Sequence, residues 1–171
     1  RRVLFRSPFQ RNTLVWLLRQ QFGGLHLVHR LDRETSGLLV AARTDRARTA
    51  LDTQFRQSQV QKQYLAIVRG SVEADFVADE AIGRDRNSEI ALRRTAHADR
   101  AVDAQPARTE FVVLRRGADR TLLRCIPKSG RTHQIRVHLE AHGHPILGDK
   151  LYGRSDQDYL RFVEHVKQGG S

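Results

Sequence analysis

Two β-rich runs separated by a short link are the feature that most constrains the fold of this chain. Residues 109–114 and 121–126 are rich in β-branched, aromatic and aliphatic side chains, and the link between them contains Gly117. This spacing predicts a β-hairpin, whose two strands pair antiparallel. The chain is therefore expected to contain an antiparallel sheet.

Helical patterns fall between some of the other predicted strands. Residues 60–68 predict a central strand, because apolar side chains occupy both of its alternating faces, and residues 38–42 predict a second, buried strand. Thr132 is placed to cap a helix that ends near Gly143. Strands outnumber helices and do not alternate strictly with them, so we expect an α+β fold with a mixed, mainly antiparallel sheet and flanking helices.

The length of the chain, 171 residues, fits a single domain that can bury a core. The sequence contains no Met, so the initiator is absent, and we expect the chain to be a fragment that forms one domain over residues 1–171. Its single cysteine, Cys125, excludes an internal disulfide and a multi-cysteine zinc site, which favours a reducing, cytoplasmic compartment. No apolar run approaches the roughly 18 to 20 residues of a membrane span, so no membrane partner is expected.

Basic residues far outnumber acidic ones: the formal net charge is +11, and 26 of the 30 basic side chains are arginine. Residues 1–60 carry a net charge of +7 and residues 107–150 carry +5, whereas residues 61–106 carry −1. Arginine binds phosphate bidentately and stacks on bases, so the two basic segments would form a nucleic-acid surface if they met in the fold. A genome-wide bias towards arginine codons would give the same composition, and charge alone leaves that alternative open.

The first polar cluster surrounds Asp32, in a predicted loop between two apolar stretches. Residues 29–37 read His-Arg-Leu-Asp-Arg-Glu-Thr-Ser-Gly. Loops on a rigid scaffold often carry active sites, and an aspartate flanked by arginines tends to stay ionised, as a nucleophile, base or electrostatic stabiliser requires. Asp32 could equally accept backbone N–H bonds and order the turn, and its local chemistry does not decide between the two roles.

Arg136 is the candidate charged residue of the second cluster, residues 130–138. Ile135 and Leu139 mark the buried stripe of the predicted helix, and Arg136 lies at its rim, about 100° round from Ile135. From there its guanidinium could turn towards a partly buried carboxylate. The alternative is a solvated surface arginine.

Four histidines near this helix raise the question of a metal site; they are His133, His138, His142 and His144. His138 and His142 are spaced i, i+4 and could share a face, but His133 falls on another face. We therefore favour capping, packing or RNA contact over metal binding. The sequence also lacks the GxxxxGK[ST] and GxGxxG phosphate-binding motifs and the G-x-S-x-G motif of serine hydrolases.

Four motifs, in the same order, resemble those of the RluA-type RNA pseudouridine synthases. Residues 29–37 resemble the family's HRLDxxTSG motif, and residues 61–64 resemble a second motif that ends in a tyrosine. Residues 130–138 resemble the third motif, and residues 143–149 resemble the Gly-His-Pro-Ile-Leu-Gly-Asp sequence that follows it. The resemblance implies that residues 1–171 are a single pseudouridine synthase catalytic domain with that family's fold, incomplete at its N- and C-termini.

The resemblance also implies roles for individual residues. Asp32 matches the catalytic aspartate, and Arg136 matches the arginine that pairs with it. Tyr64 matches the active-site tyrosine, and Arg30 matches the residue implicated in displacing the target base. Polar members of the same motifs are candidate RNA contacts, namely His29, Arg33, Arg131 and His133.

A protein of this family would isomerise specific uridines of structured RNA to pseudouridine through the aspartate, with no cofactor and no metal. Ribosomal RNA is favoured over tRNA as the substrate, and a monomer is expected. Two alternatives are a non-catalytic RNA-binding domain and, less favoured, a metal-dependent nuclease that uses the histidines. Excess EDTA would stop the nuclease and leave the synthase active.

Overall fold

The computed structural model describes residues 13–168, which belong to two compact units, Arg1–Val60 and Gln61–Ser171. The described elements of the first unit are α1 Leu14–Phe22, β1 His26–Leu27, β2 Ala41–Ala42 and α2 Asp45–Arg56. The described strands of the second unit are β3 Tyr64–Arg69, β4 Phe76–Ala78, β5 Ile82–Asp85, β6 Arg94–Thr95, β7 Ala101–Gln105, β8 Thr109–Arg116 and β9 Arg120–Pro127. Its described helices are α3 Gln134–Ala141 and α4 Asp156–Lys167.

Both helices that the structure describes in the first unit have a threonine as N-cap. The hydroxyls of Thr13 and Thr44 each accept, at 3.2 Å, the backbone N–H three residues ahead, which satisfies a donor that has no partner within the helix. α1 ends at Gly23, whose φ of +73° is left-handed and costs glycine little. The strands β1 and β2, which pair antiparallel, therefore lie between two helices with defined starts.

The buried strand predicted at residues 38–42 is wrong for most of its length. Only Ala41 and Ala42 pair in a ladder, and Leu38 is 90% exposed. The backbone N–H of Val40 donates to the imidazole of His29 instead of to a neighbouring strand. The apolar run at this place therefore belongs to the loop that carries Asp32, and the strand begins only after it.

The predicted hairpin is confirmed as β8 and β9, the central pair of a four-stranded sheet with the order β3-β9-β8-β4. β3 overlaps the central strand predicted at residues 60–68, but it lies at the edge of this sheet and begins later, at Tyr64. Tyr64 pairs with Cys125 of β9 in the antiparallel register. The N-terminal end of β3 and the C-terminal end of β9 therefore lie at the same end of the sheet.

Helix α3 contributes to both hydrophobic cores of the second unit. Its Leu139 belongs to the cluster under the four-stranded sheet, and its Val137 belongs to a second cluster that includes Tyr152 and Ile82. Ile82 starts β5, the central strand of a three-stranded sheet with the order β6-β5-β7. The helix that carries Arg136 is thus held by burial against two sheets.

All strand pairs within residues 13–168 are antiparallel, and helices accompany the sheets, so the predicted α+β fold is confirmed. The strands are divided among three sheets. The predicted cap at Thr132 is wrong by one residue, because α3 begins at Gln134 with His133 as its N-cap in a left-handed conformation. No helix within residues 13–168 combines the length and apolar character that crossing a membrane demands.

Candidate active site

His29 closes the loop that carries Asp32. The backbone N–H of Val40 donates to Nε2 of His29 at 2.9 Å, and the imidazole ring stacks on Phe55 of α2 with the ring centroids 4.8 Å apart. Because Nε2 accepts this hydrogen bond, it carries no proton in this arrangement. One neutral histidine therefore holds the two ends of the loop together and attaches them to a helix.

Asp32 itself is half-buried at a tight turn of this loop. Its backbone carbonyl accepts the N–H of Thr35 at 3.0 Å, while the neighbouring Arg30 and Arg33 are exposed. The two exposed arginines can attract a large, negatively charged substrate and bring it to the half-buried carboxylate between them. The catalytic role of Asp32 and the RNA contacts of His29, Arg30 and Arg33 stay predictions.

In the second unit, Tyr64 lies at the end of the four-stranded sheet where the third motif begins. It is half-buried and packs against the cluster formed under that sheet. Two residues earlier, Lys62 donates from Nζ to the backbone carbonyl of Ser129 at 2.8 Å, and burial lowers the pKa of its ammonium group. This hydrogen bond ties the start of β3 to the loop that precedes α3.

Gln134 holds that loop from the other side. Its Oε1 accepts the Ser129 hydroxyl at 2.6 Å and the Arg131 backbone N–H at 3.0 Å. Its Nε2 donates to the Arg108 carbonyl at 2.9 Å and to the Thr109 hydroxyl at 3.0 Å. One buried amide thus uses both of its polar ends to join the loop to β8, which explains why a glutamine serves at the first position of α3.

Arg131 and His133, two candidate RNA contacts, have intramolecular partners. The Arg131 guanidinium donates to the Pro106 carbonyl at 3.0 Å and to the Gln105 side chain at 2.7 Å. Nδ1 of His133 lies 2.8 Å from the hydroxyl oxygen of Tyr152, and the two rings meet edge to face. Both side chains therefore help to shape the surface near α3, and their contacts with RNA stay predictions.

Arg136 forms a bidentate ion pair with Asp149. Nε of Arg136 donates to Oδ2 at 2.7 Å, and Nη2 donates to Oδ1 at 2.9 Å. The Arg136 side chain is 15% exposed and that of Asp149 only 4%. This geometry fixes the plane of the guanidinium. The pairing of Arg136 with Asp32 that the sequence predicts stays a prediction.

Asp149 is held ionised by several donors. Burial of its carboxyl acts to raise the pKa, but hydrogen bonds from Arg136 and from the backbone N–H groups of Leu151 and Tyr152 outweigh it, and the pKa lies below its ordinary value. A carboxylate that is charged at neutral pH therefore faces the arginine.

Tyr152 supports the other side of the same guanidinium. The central carbon of the Arg136 guanidinium lies 4.8 Å from the centroid of the Tyr152 ring. The phenol is fully buried, its oxygen accepts the backbone N–H of Arg94 at 3.2 Å, and burial raises its pKa. A neutral ring beneath the cation and a carboxylate along its edge leave Arg136 little rotational freedom.

The histidines that suggested a metal site have other partners. His138 is buried, with one ring nitrogen 2.9 Å from the Thr109 hydroxyl and the other 3.1 Å from the Glu80 carbonyl, and burial lowers its pKa. His142 lies 3.0 Å from the Glu80 carboxylate. Within residues 13–168, no group of three histidine, cysteine, aspartate or glutamate side chains is arranged to hold a metal ion.

Sequence reasoning missed three residues of the second unit that hold Arg136 and the loop before α3, namely Gln134, Asp149 and Tyr152. Gln134 and Asp149 stand inside motifs that the sequence singled out, but nothing in their spacing indicates a partner. Tyr152 lies three residues after Asp149, beyond the end of the last motif, and its single signal was a large aromatic side chain close to that motif.

The family model described as RNA pseudouridylate synthase matches residues 10–141. The Ribosomal large subunit pseudouridine synthase D of Nitrosomonas europaea is 46% identical over 132 residues, which cover 77% of this chain and 37% of that protein. The Dual-specificity RNA pseudouridine synthase RluA of Vibrio vulnificus is 38% identical over 157 residues, covering 88% of this chain and 61% of that protein. The Ribosomal large subunit pseudouridine synthase C of Escherichia coli K12 is 40% identical over 159 residues, covering 89% and 46%.

Solved structures of RNA pseudouridylate synthase domains are also similar to this chain. Human RNA Pseudouridylate Synthase Domain Containing 1 superposes with a TM-score of 0.77 and 34% identity, over 87% of this chain and 63% of that chain. Human RNA Pseudouridylate Synthase Domain Containing 4 superposes with a TM-score of 0.66 and 31% identity, over 91% and 64%. The chain spans less than two thirds of the length of each of these curated relatives and solved structures.

Proposed function

Since this chain belongs to the RluA-type RNA pseudouridylate synthase family, we propose that it isomerises specific uridines of structured RNA to pseudouridine. The observation that carries the proposal is the family match over residues 10–141, because it contains the Asp32 loop, Tyr64 and Arg136. The names of two curated relatives favour ribosomal RNA as the substrate. Residues 1–171 would then form the single catalytic domain that the sequence predicts.

The reaction breaks the bond between N1 of uracil and C1′ of the ribose and joins C1′ to C5 of the same ring. C5 loses its proton and N1 gains one, so product and substrate have the same composition. The step consumes no oxidant, nucleotide or phosphate donor. We therefore expect activity without any added cofactor or metal.

Asp32 is the proposed catalytic residue. An ionised aspartate could attack C1′, attack the base, or remove a proton from the sugar, and each route starts from the charged carboxylate. In this proposal Arg136 favours that charged form, and the Asp149 pair and the Tyr152 ring set the orientation of its guanidinium. The contribution of Arg136 is then positioning and charge balance.

The target uridine must leave the base stack before Asp32 can reach it. Extruding a base costs a few kcal/mol, and the exposed Arg30 is the proposed residue that fills the vacated place. Tyr64 would receive the extruded uracil by stacking, which is worth about 1–3 kcal/mol per base. A monomer in the cytoplasm, with RNA as its partner and no membrane, completes the proposal.

Mapping pseudouridines in cellular RNA tests this function. Cells that carry the gene, cells that lack it, and cells that carry the Asp32→Asn variant are compared for pseudouridine at every uridine of ribosomal and transfer RNA. We expect at least one ribosomal uridine to be modified only in the first strain. Identical maps in all three strains would refute the proposed function, and a site in tRNA would correct the substrate class.

A further inference from the structure

Three arginines share the outer side of the three-stranded sheet; we call Arg84, Arg86 and Arg94 the arginine face. Arg84 of β5 pairs directly with Arg94 of β6 in the antiparallel register. Arg84 is exposed and Asp85 is buried, as the alternation of side chains along β5 requires. Arg86, directly after β5, is exposed, and Arg94 is half-buried. Cross-strand partners lie on the same side of a sheet, so Arg84 and Arg94 are neighbours there.

This arrangement is electrostatically unfavourable for the protein alone. Like charges placed directly opposite each other destabilise a sheet. Within residues 13–168, no carboxylate forms an ion pair with any member of the arginine face, and the Arg94 guanidinium donates to the Ala91 and Arg93 carbonyls. A polyanion laid on this side would relieve the repulsion.

The neighbouring Arg93 differs from the arginine face, because it is largely buried and paired with carboxylates. Its side chain is 12% exposed, and it forms ion pairs with Glu140 at 2.7 Å and Asp156 at 3.0 Å, and a longer one with Asp85 at 3.9 Å. Asp85, the carboxylate between Arg84 and Arg86 in the sequence, is therefore buried away from the arginine face and lies near Arg93. This separation of charges is invisible in the net charge of −1 over residues 61–106.

The arginine face is connected to Arg136 through one residue. The backbone N–H of Arg94 donates to the Tyr152 hydroxyl oxygen at 3.2 Å, and the ring of Tyr152 lies 4.8 Å from the guanidinium carbon of Arg136. The strand that carries Arg94 is thus fixed to the ring that supports Arg136. Arg94 is therefore two contacts away from the guanidinium of Arg136.

We infer that the arginine face binds the phosphodiester backbone of the substrate RNA beside the target uridine. The inference rests on the proposed function for its partner. Arginine suits phosphate because its planar fork makes two parallel hydrogen bonds, and each phosphate neutralised releases counterions from the RNA. The contact carries no sequence information and sets the register of the RNA on the enzyme.

Equilibrium binding of a fluorescein-labelled RNA stem-loop at several salt concentrations tests the inference. We expect the double variant Arg84→Gln/Arg94→Gln to bind more weakly and to reduce the slope of log affinity against log salt by about one unit for each phosphate that the protein no longer neutralises. Arg84→Lys keeps the charge and should retain the slope. Arg69→Gln is the matched control, since Arg69 is an exposed strand arginine of the four-stranded sheet and lies outside both basic segments.

A double variant with the slope of the wild type, or an equal reduction in the Arg69 control, would overturn the inference. A wild-type protein that does not bind the stem-loop would overturn it as well. Failure of the proposed function is distinguishable, because it appears as normal, salt-dependent binding without any pseudouridine formed. The melting temperature of each variant, measured in parallel, shows that the folded protein is being compared.

Discussion

At the scale of single residues, Asp149 performs two tasks. It balances the charge of Arg136 through two hydrogen bonds, and it accepts the backbone N–H groups of Leu151 and Tyr152. Removing its charge therefore affects both the orientation of Arg136 and the turn that places Tyr152 under it.

We expect Asp149→Asn to lower the free energy of unfolding by about 3–5 kcal/mol at neutral pH, because a largely buried guanidinium loses its carboxylate. The pKa of Asp149 is lower in the folded state than its ordinary value, so the carboxylate stabilises the fold above an unfolded pKa of about 4. That stabilisation is lost as the pH falls through the folded pKa. Urea unfolding across a pH series should show the gap between wild type and variant shrinking in acid.

Asp119→Asn is the control for this experiment. Asp119 also pairs with an arginine, Arg120, but both side chains are exposed. We expect almost no change in the free energy of unfolding at any pH, because solvent screens such a pair. A gap for Asp149→Asn that is equally large in strong acid and at neutral pH would contradict the role assigned to its charge.

Tyr64 is the second residue whose role a pair of variants separates. Tyr64→Phe keeps the ring and removes the hydroxyl, whereas Tyr64→Leu removes the ring. If the ring stacks on the uracil, affinity for RNA that carries a substrate analogue should survive Phe and fall with Leu by about 1–3 kcal/mol. Slow turnover of a Phe variant that binds normally would assign the hydroxyl to proton transfer from C5.

One result of these measurements would exclude an active-site role for Tyr64. Tyr64 also packs against the core under the four-stranded sheet, so its loss affects stability as well. A Leu variant that melts earlier but keeps full single-turnover activity when folded would remove Tyr64 from the active site. Melting temperature, analogue affinity and single-turnover rate are therefore measured on the same two proteins.

At the scale of elements, the loop around Asp32 depends on one side-chain hydrogen bond. We expect His29→Phe to keep the stacking on Phe55 and to lose the acceptor for the Val40 N–H. The loop should then open more often, which hydrogen exchange measures as faster exchange of the Val40 amide. Pseudouridine formation should slow, since Asp32 is held less firmly.

His26→Phe is the matched control for the loop. His26 lies in β1 and contacts Asp45 at 3.6 Å, outside the loop. Unchanged exchange at Val40 in the His29→Phe protein would show that another contact closes the loop.

The same loop shows where sequence periodicity fails for elements. The hairpin of β8 and β9 could be predicted because its side chains alternate over a long register around a glycine-containing link. Residues 38–42 looked like a buried strand because apolar residues adjoin there, but their backbone donor at Val40 binds an imidazole eleven residues away. Apolar composition reports a preference for burial, whereas a ladder also needs a partner strand in register.

At the scale of the whole molecule, the sequence indicates the fold class, the family, and the loop and helix on which Asp32 and Arg136 stand. It does not indicate what holds them. Asp149 is 13 residues beyond Arg136, and Gln134 reaches the Arg108 carbonyl 26 residues back along the chain. Such pairs are created by tertiary packing, so no local spacing rule could find them.

The distribution of charge over the surface also depends on tertiary packing. The segment with net charge −1 nevertheless carries the arginine face, because Asp85 is buried on one side of the sheet whereas Arg84 and Arg94 pair on the other. The net charge summed along the sequence does not distinguish the two sides of the sheet. The position of charge on a surface is therefore a property of the fold, and the basic segments at residues 1–60 and 107–150 are an incomplete description of where RNA is expected to bind.

The most direct test of the proposed function is pseudouridine formation by the purified chain and by its Asp32→Asn variant, on a transcript of large-subunit ribosomal RNA without added metal or cofactor. The substitution keeps the size of the side chain and removes its charge. We predict that the wild-type protein converts a specific uridine, and that the variant binds the transcript with similar affinity, keeps its melting temperature and forms no pseudouridine. Activity of the variant within about tenfold of wild type, a barrier change of only about 1.4 kcal/mol, would contradict the assignment of Asp32 as the catalytic residue.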